Sequence, residues 1–214
     1  MPSIITHAAV PLALWCAADR GRIPPHLLAA GVIAAMLPDA DVLAFALHIP
    51  YADAFGHRGA SHSLLFAGML AALAAVPAFF GNRRSWSAPH RPGSRRPWSA
   101  VSCQPRLAPT WARPTVASTV QAAVFVFICA ASHPLLDAMT SGGLGVALAW
   151  PWSEQRFFAP WRPIRVSPFA PQFFSARGLA TLLSELRWVW LPLAGAVVTW
   201  KLIQPAPAAP RDPS

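Results

Sequence analysis

The chain has 214 residues, 55% of them hydrophobic and only 12% charged. An ordinary soluble domain carries about 25% charged residues, so this composition argues against a soluble globular enzyme and for helices that cross a bilayer. The net charge of +9 invites a nucleic-acid reading, but the basic residues cluster where membrane proteins carry them, so no nucleic-acid partner is expected.

Residues 4–18 form the first apolar run and end at Asp19-Arg20. The run is shorter than the roughly 20 residues needed to span the hydrocarbon, which predicts a short or partly inserted helix bearing His7. No basic region precedes it and no clear small-residue cleavage site ends it, so retention is expected over removal as a signal peptide. Residues 27–49 are apolar apart from Asp39 and Asp41 and predict a second helix. Pro38 lacks a backbone donor and breaks that helix at Asp39. Residues 61–81 predict a third helix, with Ser61 as N-cap and His62 in the first turn.

Residues 82–116 hold seven arginines, no acid and much Pro, Ser and Trp, the composition of a disordered cytoplasmic loop. Residues 116–136 predict a fourth span, stopped just beyond Asp137 by Gly142 and Gly143. The last span, 178–203, is interrupted only by Glu185 and Arg187 near one end, and 204–214 reads as a disordered tail. The expectation is therefore an all-α polytopic bundle of four to five transmembrane helices. It forms one membrane-embedded domain, 1–203, with 82–116 as a basic insert. Cys16, Cys103 and Cys129 show no paired spacing and are read as incidental.

Placing the arginine-rich loop inside puts eleven basic residues inside and five outside, which predicts an external N-terminus. Alternation then brings His7, Asp39, Asp41, His57, His62, His133 and Asp137 to the outer face. Ionisable groups at membrane depth are costly, about 2.5–3.5 kcal/mol each at mid-helix, and so mark a site. His133 and Asp137 are four apart and share a helical face. Three aspartates against Arg58 alone leave a negative excess that one or two divalent cations would neutralise. Mixed imidazole and carboxylate donors favour Zn or Mn over Mg or Ca. His7, Asp39, His57, His62, His133 and Asp137 are the candidate ligands. Asp41 and Glu154 are candidate general bases, and Arg58 is a candidate for holding a phosphate or carboxylate of the substrate. Its plainer role is counter-ion to the aspartates. Trp150, Trp152 and Trp161 read as an interfacial aromatic belt.

Thr6-His7, Leu37-Pro38-Asp39-Ala40-Asp41, His57-Arg58-Gly59-Ala60-Ser61-His62-Ser63, and His133 to Asp137 followed by Thr140 to Gly143 together resemble a bacterial family, the YdjM-like inner-membrane-associated metal-dependent hydrolases. Pro151-Trp152-Ser153 and Arg156-Phe157 extend the likeness. The resemblance implies a multi-pass protein of the bacterial inner membrane with a hydrolytic metal site. Position at headgroup depth suggests a small-molecule or lipid substrate, such as a lipid-linked phosphoester attacked by a metal-activated water. The alternatives are a transporter-like relay of protons or metal ions through the same residues and a haem protein, which the clustered aspartates disfavour.

Overall fold

The computed structural model describes residues 1–18, 22–81, 116–168 and 172–204. The expected basic loop and the tail from residue 205 lie outside the described residues, as do Arg20, His90 and Cys103. Among the described residues the chain is all-helical. A short 3-10 turn, Ile4–Ala8, leads into α1 (Ala9–Ala17), and α2 (Pro25–Met36) follows. Next come a 3-10 turn, Leu37–Val42, and α3 (Leu43–Ala46). The longer helices are α4 (Leu64–Gly81) and α5 (Val116–Ala138). The last helical stretch is α6 (Ala176–Glu185), a π-helical turn at Leu186–Trp190, and α7 (Leu191–Ile203). Only two isolated bridges, Thr140–Ile164 and Val146–Phe157, interrupt the helical pattern.

Three of these stretches are long and apolar enough to cross a membrane: Pro25–Ala46, Thr119–Ala138 and Ala176–Ile203. Ile4–Ala17 and Leu64–Val76 are apolar but shorter. Pro25 starts α2 where a missing N–H costs nothing. Pro38 ends its regular α-geometry, and the tighter 3-10 turn carries Asp39 and Asp41. Ser61 does not cap α4. Ala60–His62 is a 3-10 turn of its own, and the Ser63 hydroxyl accepts from the Phe66 N–H at 3.1 Å.

α5 is the central post, packed against α2 and α4. The core between them is made of small residues, Ala34, Ala35, Ala67, Ala130 and Ala131, with Phe125, Val126 and Cys129. Small side chains let helices approach closely where no water is available to drive them together. Gly31 shows how close: a Cβ there would lie 2.5 Å from the Phe125 ring. A second core joins Ala9, Ile164 and Val189, binding α1 and the C-terminal helices to the segment after α5.

That segment covers one end of the bundle. The Ile164 N–H donates to the Met139 carbonyl and the Ser141 N–H to the Ile164 carbonyl. The Arg156 guanidinium donates to the carbonyls of Tyr51, Asp53, His57 and Arg58 at 2.9–3.3 Å. One buried charge also ties the two ends of the chain together. Glu185, 1% exposed, accepts from the Ser3 N–H at 2.5 Å, the Ser3 hydroxyl at 2.6 Å and the Thr6 hydroxyl at 2.7 Å. Trp190 Nε1 donates to the same Thr6 oxygen at 3.1 Å.

Candidate metal centre

The start of α1, the end of α2, the start of α4 and the end of α5 meet at one end of the bundle. Asp39, His62, His133 and Asp137 each direct one ligand-type atom into a common space, all within 4.8 Å of one another and all buried. His133 Nε2 lies 2.9 Å from His62 Nε2 and 3.5 Å from Asp39 Oδ1. His62 Nε2 is 3.2 Å from Asp137 Oδ2. His7 closes the group from the N-terminal side. Its Nε2 is 3.6 Å from Asp39 and 3.8 Å from Asp137, and its ring stacks on His133 at 3.7 Å.

Hydrogen bonds behind these side chains set which lone pairs face inward. The His133 Nδ1–H donates to the Ala35 carbonyl at 2.7 Å, which assigns Nε2 as the free lone pair. His62 Nδ1 rests 3.0 Å from Asp41 Oδ2, so its Nε2 also presents a lone pair. Imidazoles held this way by a carbonyl or carboxylate are the usual arrangement around a metal. Two lone pairs 2.9 Å apart, beside two carboxylates, repel unless a cation or proton lies between them. Burial by itself would lower the His62 pKa, but hydrogen bonds to Asp137 and Asp41 outweigh it and push it up to about 9.

Asp41 is a hub of a different kind. It accepts from the Arg58 N–H at 2.9 Å and the Ser61 hydroxyl at 2.7 Å. Its other oxygen is 2.5 Å from His57 Nδ1. His57 therefore stands one layer out, against Asp41, and outside the four-residue group. Arg58 lies inside at 1% exposure. Its Nε is 3.1 Å from Asp137 Oδ2, and its other nitrogens donate to Thr140 Oγ1 and the Gly142 carbonyl. This is the counter-ion arrangement, with the guanidinium fully engaged by the protein. Arg58 has φ of 62°, an uncommon conformation that aims its N–H at Asp41. Gly59 is required behind it, because a Cβ would meet the Ala54 carbonyl oxygen at 2.2 Å. Glu154 is exposed and makes none of the centre's contacts.

The donor set suits a divalent cation on two counts. Both oxygens of Asp39 and both nitrogens of His7 are buried with no hydrogen-bond partner among the described residues. Such orphaned acceptors are expensive unless a cation satisfies them. Three carboxyl groups, Asp39, Asp41 and Asp137, also gather around one guanidinium, that of Arg58. A buried Asp-His-His-Asp group of this kind could hold a metal ion.

Three features were not anticipated from sequence. Arg156 organises the loop that carries His57 and Arg58, Thr140 secures the Arg58 fork, and Glu185 pins the segment bearing His7. A lone acid in an apolar run was the one available signal, for Glu185. His26 and His48 take no part in the centre, and Cys16 and Cys129 are free.

The chain is 43% identical over 193 residues to the inner membrane protein YbcI of Escherichia coli strain K12, an alignment covering 90% of this chain and 92% of that protein. No solved structure matches it. The family model described as "YdjM inner membrane protein" matches residues 1–208. With its helices, its buried His/Asp cluster and these matches, the chain belongs to the YdjM inner membrane protein family.

Proposed function

We propose that this protein is a membrane-bound metal-dependent hydrolase of four to five spans, acting on a lipid or lipid-linked phosphoester at the outer face of the inner membrane. The observation that carries the reading is the convergence of four buried ligand-type atoms within 4.8 Å, one of them from Asp39, a carboxyl group with no hydrogen-bond donor among the described residues. Asp39, His62, His133 and Asp137 would hold the ion, with His7 as a fifth donor from the Ile4–Ala8 turn. A divalent cation there supplies Lewis acidity toward a phosphoryl oxygen and lowers the pKa of a water towards about 7. Zn or Mn fits the mixed donors better than Mg or Ca. Asp41 orients His62, the Ala35 carbonyl orients His133, and Arg58 holds Asp137 in place. The excess of basic residues on the opposite side supports the outer face.

A cleft of about 350 Å³ beside the centre supports a lipid substrate: Leu37, Pro38, Phe55 and Phe66 line it, with Asp41 and Ser61 among its few polar groups. The test is metal content of the purified protein, then turnover of phospholipid and lipid-linked phosphoesters by wild type, His62→Ala and His133→Ala. Stoichiometric metal and hydrolysis lost together in both variants is the expected result. Metal retained by both would refute the ligand set. Metal lost with ion uptake affected and no hydrolysis in wild type would favour the relay.

A further inference from the structure

The polypeptide from residue 161 to 166 runs along the last helical stretch. The Trp161 ring meets the Trp188 ring edge-on at 4.8 Å. The Arg165 N–H donates to the Ser184 hydroxyl, and the Thr181 hydroxyl to the Val166 carbonyl. Ile164, between them, is fully buried and bonded to Met139 and Ser141, just past Asp137. Its neighbours Arg162 and Arg165 are exposed, as is Arg187 on the π-helical turn. Arg187 lies over the Trp188 ring at 4.8 Å and Arg162 over the Phe158 ring at 4.6 Å. None of the three arginines has an ion-pair partner among the described residues. The acids nearest in sequence are Glu185, buried on Ser3 and Thr6, and Glu154 on the far side of the 157–161 segment.

Three exposed guanidiniums, one over a tryptophan ring and one over a phenylalanine ring, at the point where α6 gives way to the apolar α7, have the chemistry of the headgroup layer. Tryptophan rings favour that depth, and guanidinium matches phosphate oxygens bidentately. We propose that Arg162, Arg165 and Arg187, with Trp161 and Trp188, form a binding site for the phosphate of an anionic phospholipid. The site lies at the same end of the bundle as the metal centre. Its acyl chains would follow the exposed Leu186 and Leu191. This site requires only that α7 enter the membrane from the π-helical turn, and stands whether or not the hydrolase reading does.

The experiment is native mass spectrometry of the full chain in neutral detergent, titrated with phosphatidylglycerol or phosphatidylcholine. Each basic residue at an anionic surface contributes about fivefold in affinity, so Arg162→Gln/Arg165→Gln/Arg187→Gln should weaken phosphatidylglycerol binding about a hundredfold and leave phosphatidylcholine unchanged. The control Arg83→Gln/Arg84→Gln/Arg95→Gln, with the same net charge, should bind as wild type. The triple Lys variant at 162, 165 and 187 should keep most of the affinity, which separates charge loss from misfolding. Equal loss in the control, full binding by the triple Gln variant, or failure of a folded triple Lys variant would overturn the site. Displacement of the lipid by inorganic phosphate at equal concentration would overturn the lipid as its ligand.

Discussion

Replacing Asp41 separates a group that orients a ligand from a ligand. Its two oxygens are engaged by the Arg58 N–H, the Ser61 hydroxyl and the rings of His57 and His62, all at 2.5–3.0 Å. Asp41→Asn keeps one oxygen where three of those contacts meet and loses the charge that raises the basicity of His62. Asp41→Ala leaves all of them unanswered. Removing an outer partner of a ligating imidazole costs about 10- to 100-fold in metal affinity. The expected losses are therefore about tenfold for Asn and about a hundredfold for Ala, roughly 1.4 and 2.7 kcal/mol. The assay is competition with a chelator of known affinity, using Co(II) so that its visible bands report the ligand field. Both variants should keep the wild-type bands at saturating metal. Wild-type affinity in Asp41→Ala, or bands altered in Asp41→Asn as a lost direct ligand would alter them, would refute this arrangement.

Three further outcomes follow from the same contacts. Glu185→Ala strands three donors from Ser3 and Thr6, worth about 1 kcal/mol or more each, and a thermal melt should fall by about 6–12 °C; an unchanged midpoint would mean that the knot is dispensable. Because its hydrogen bonds to Asp137 and Asp41 outweigh burial and push the His62 pKa up to about 9, a cation must displace its proton below that pH. Metal affinity should thus fall about tenfold per unit as pH drops below about 9 and level off above it, and a flat profile from pH 6 to 9 would contradict the assignment. Gly143 has φ of +90°, and a Cβ there would sit 2.7 Å from Arg58 Nη1. Gly143→Ala should cost about 1–3 kcal/mol and show as a lower melting midpoint with weakened metal binding.

Much of this architecture could be read from residue order, because hydropathy and proline placement act locally. The helices lie where apolar runs predicted them, and the break at Pro38 occurs where the missing donor requires it. Counting which ends of the runs coincide gathered His7, Asp39, Asp41, His57, His62, His133 and Asp137 at one face, and the fold selects Asp39, His62, His133 and Asp137 from them. What remained hidden depends on turn geometry and distant partners. Asp39 and Asp41 are two residues apart on a 3-10 turn, and only the fold shows that one faces the histidines' inner nitrogens while the other backs His62. The N-cap of α4 shifted from Ser61 to Ser63 because the Ser61 hydroxyl goes to Asp41. Glu185 could not be assigned, since its partners are about 180 residues away in sequence.

That long-range tie has a temporal consequence. Ser3 and Thr6 leave the ribosome early, yet the carboxylate that holds them is translated some 180 residues later. At about 5–20 residues per second the wait is roughly 10–40 s. Throughout it, the segment that bears His7 lacks the carboxylate that holds Ser3 and Thr6. The turn that brings His7 to His133 and Asp39 therefore gains its last fastening only when the final helix docks.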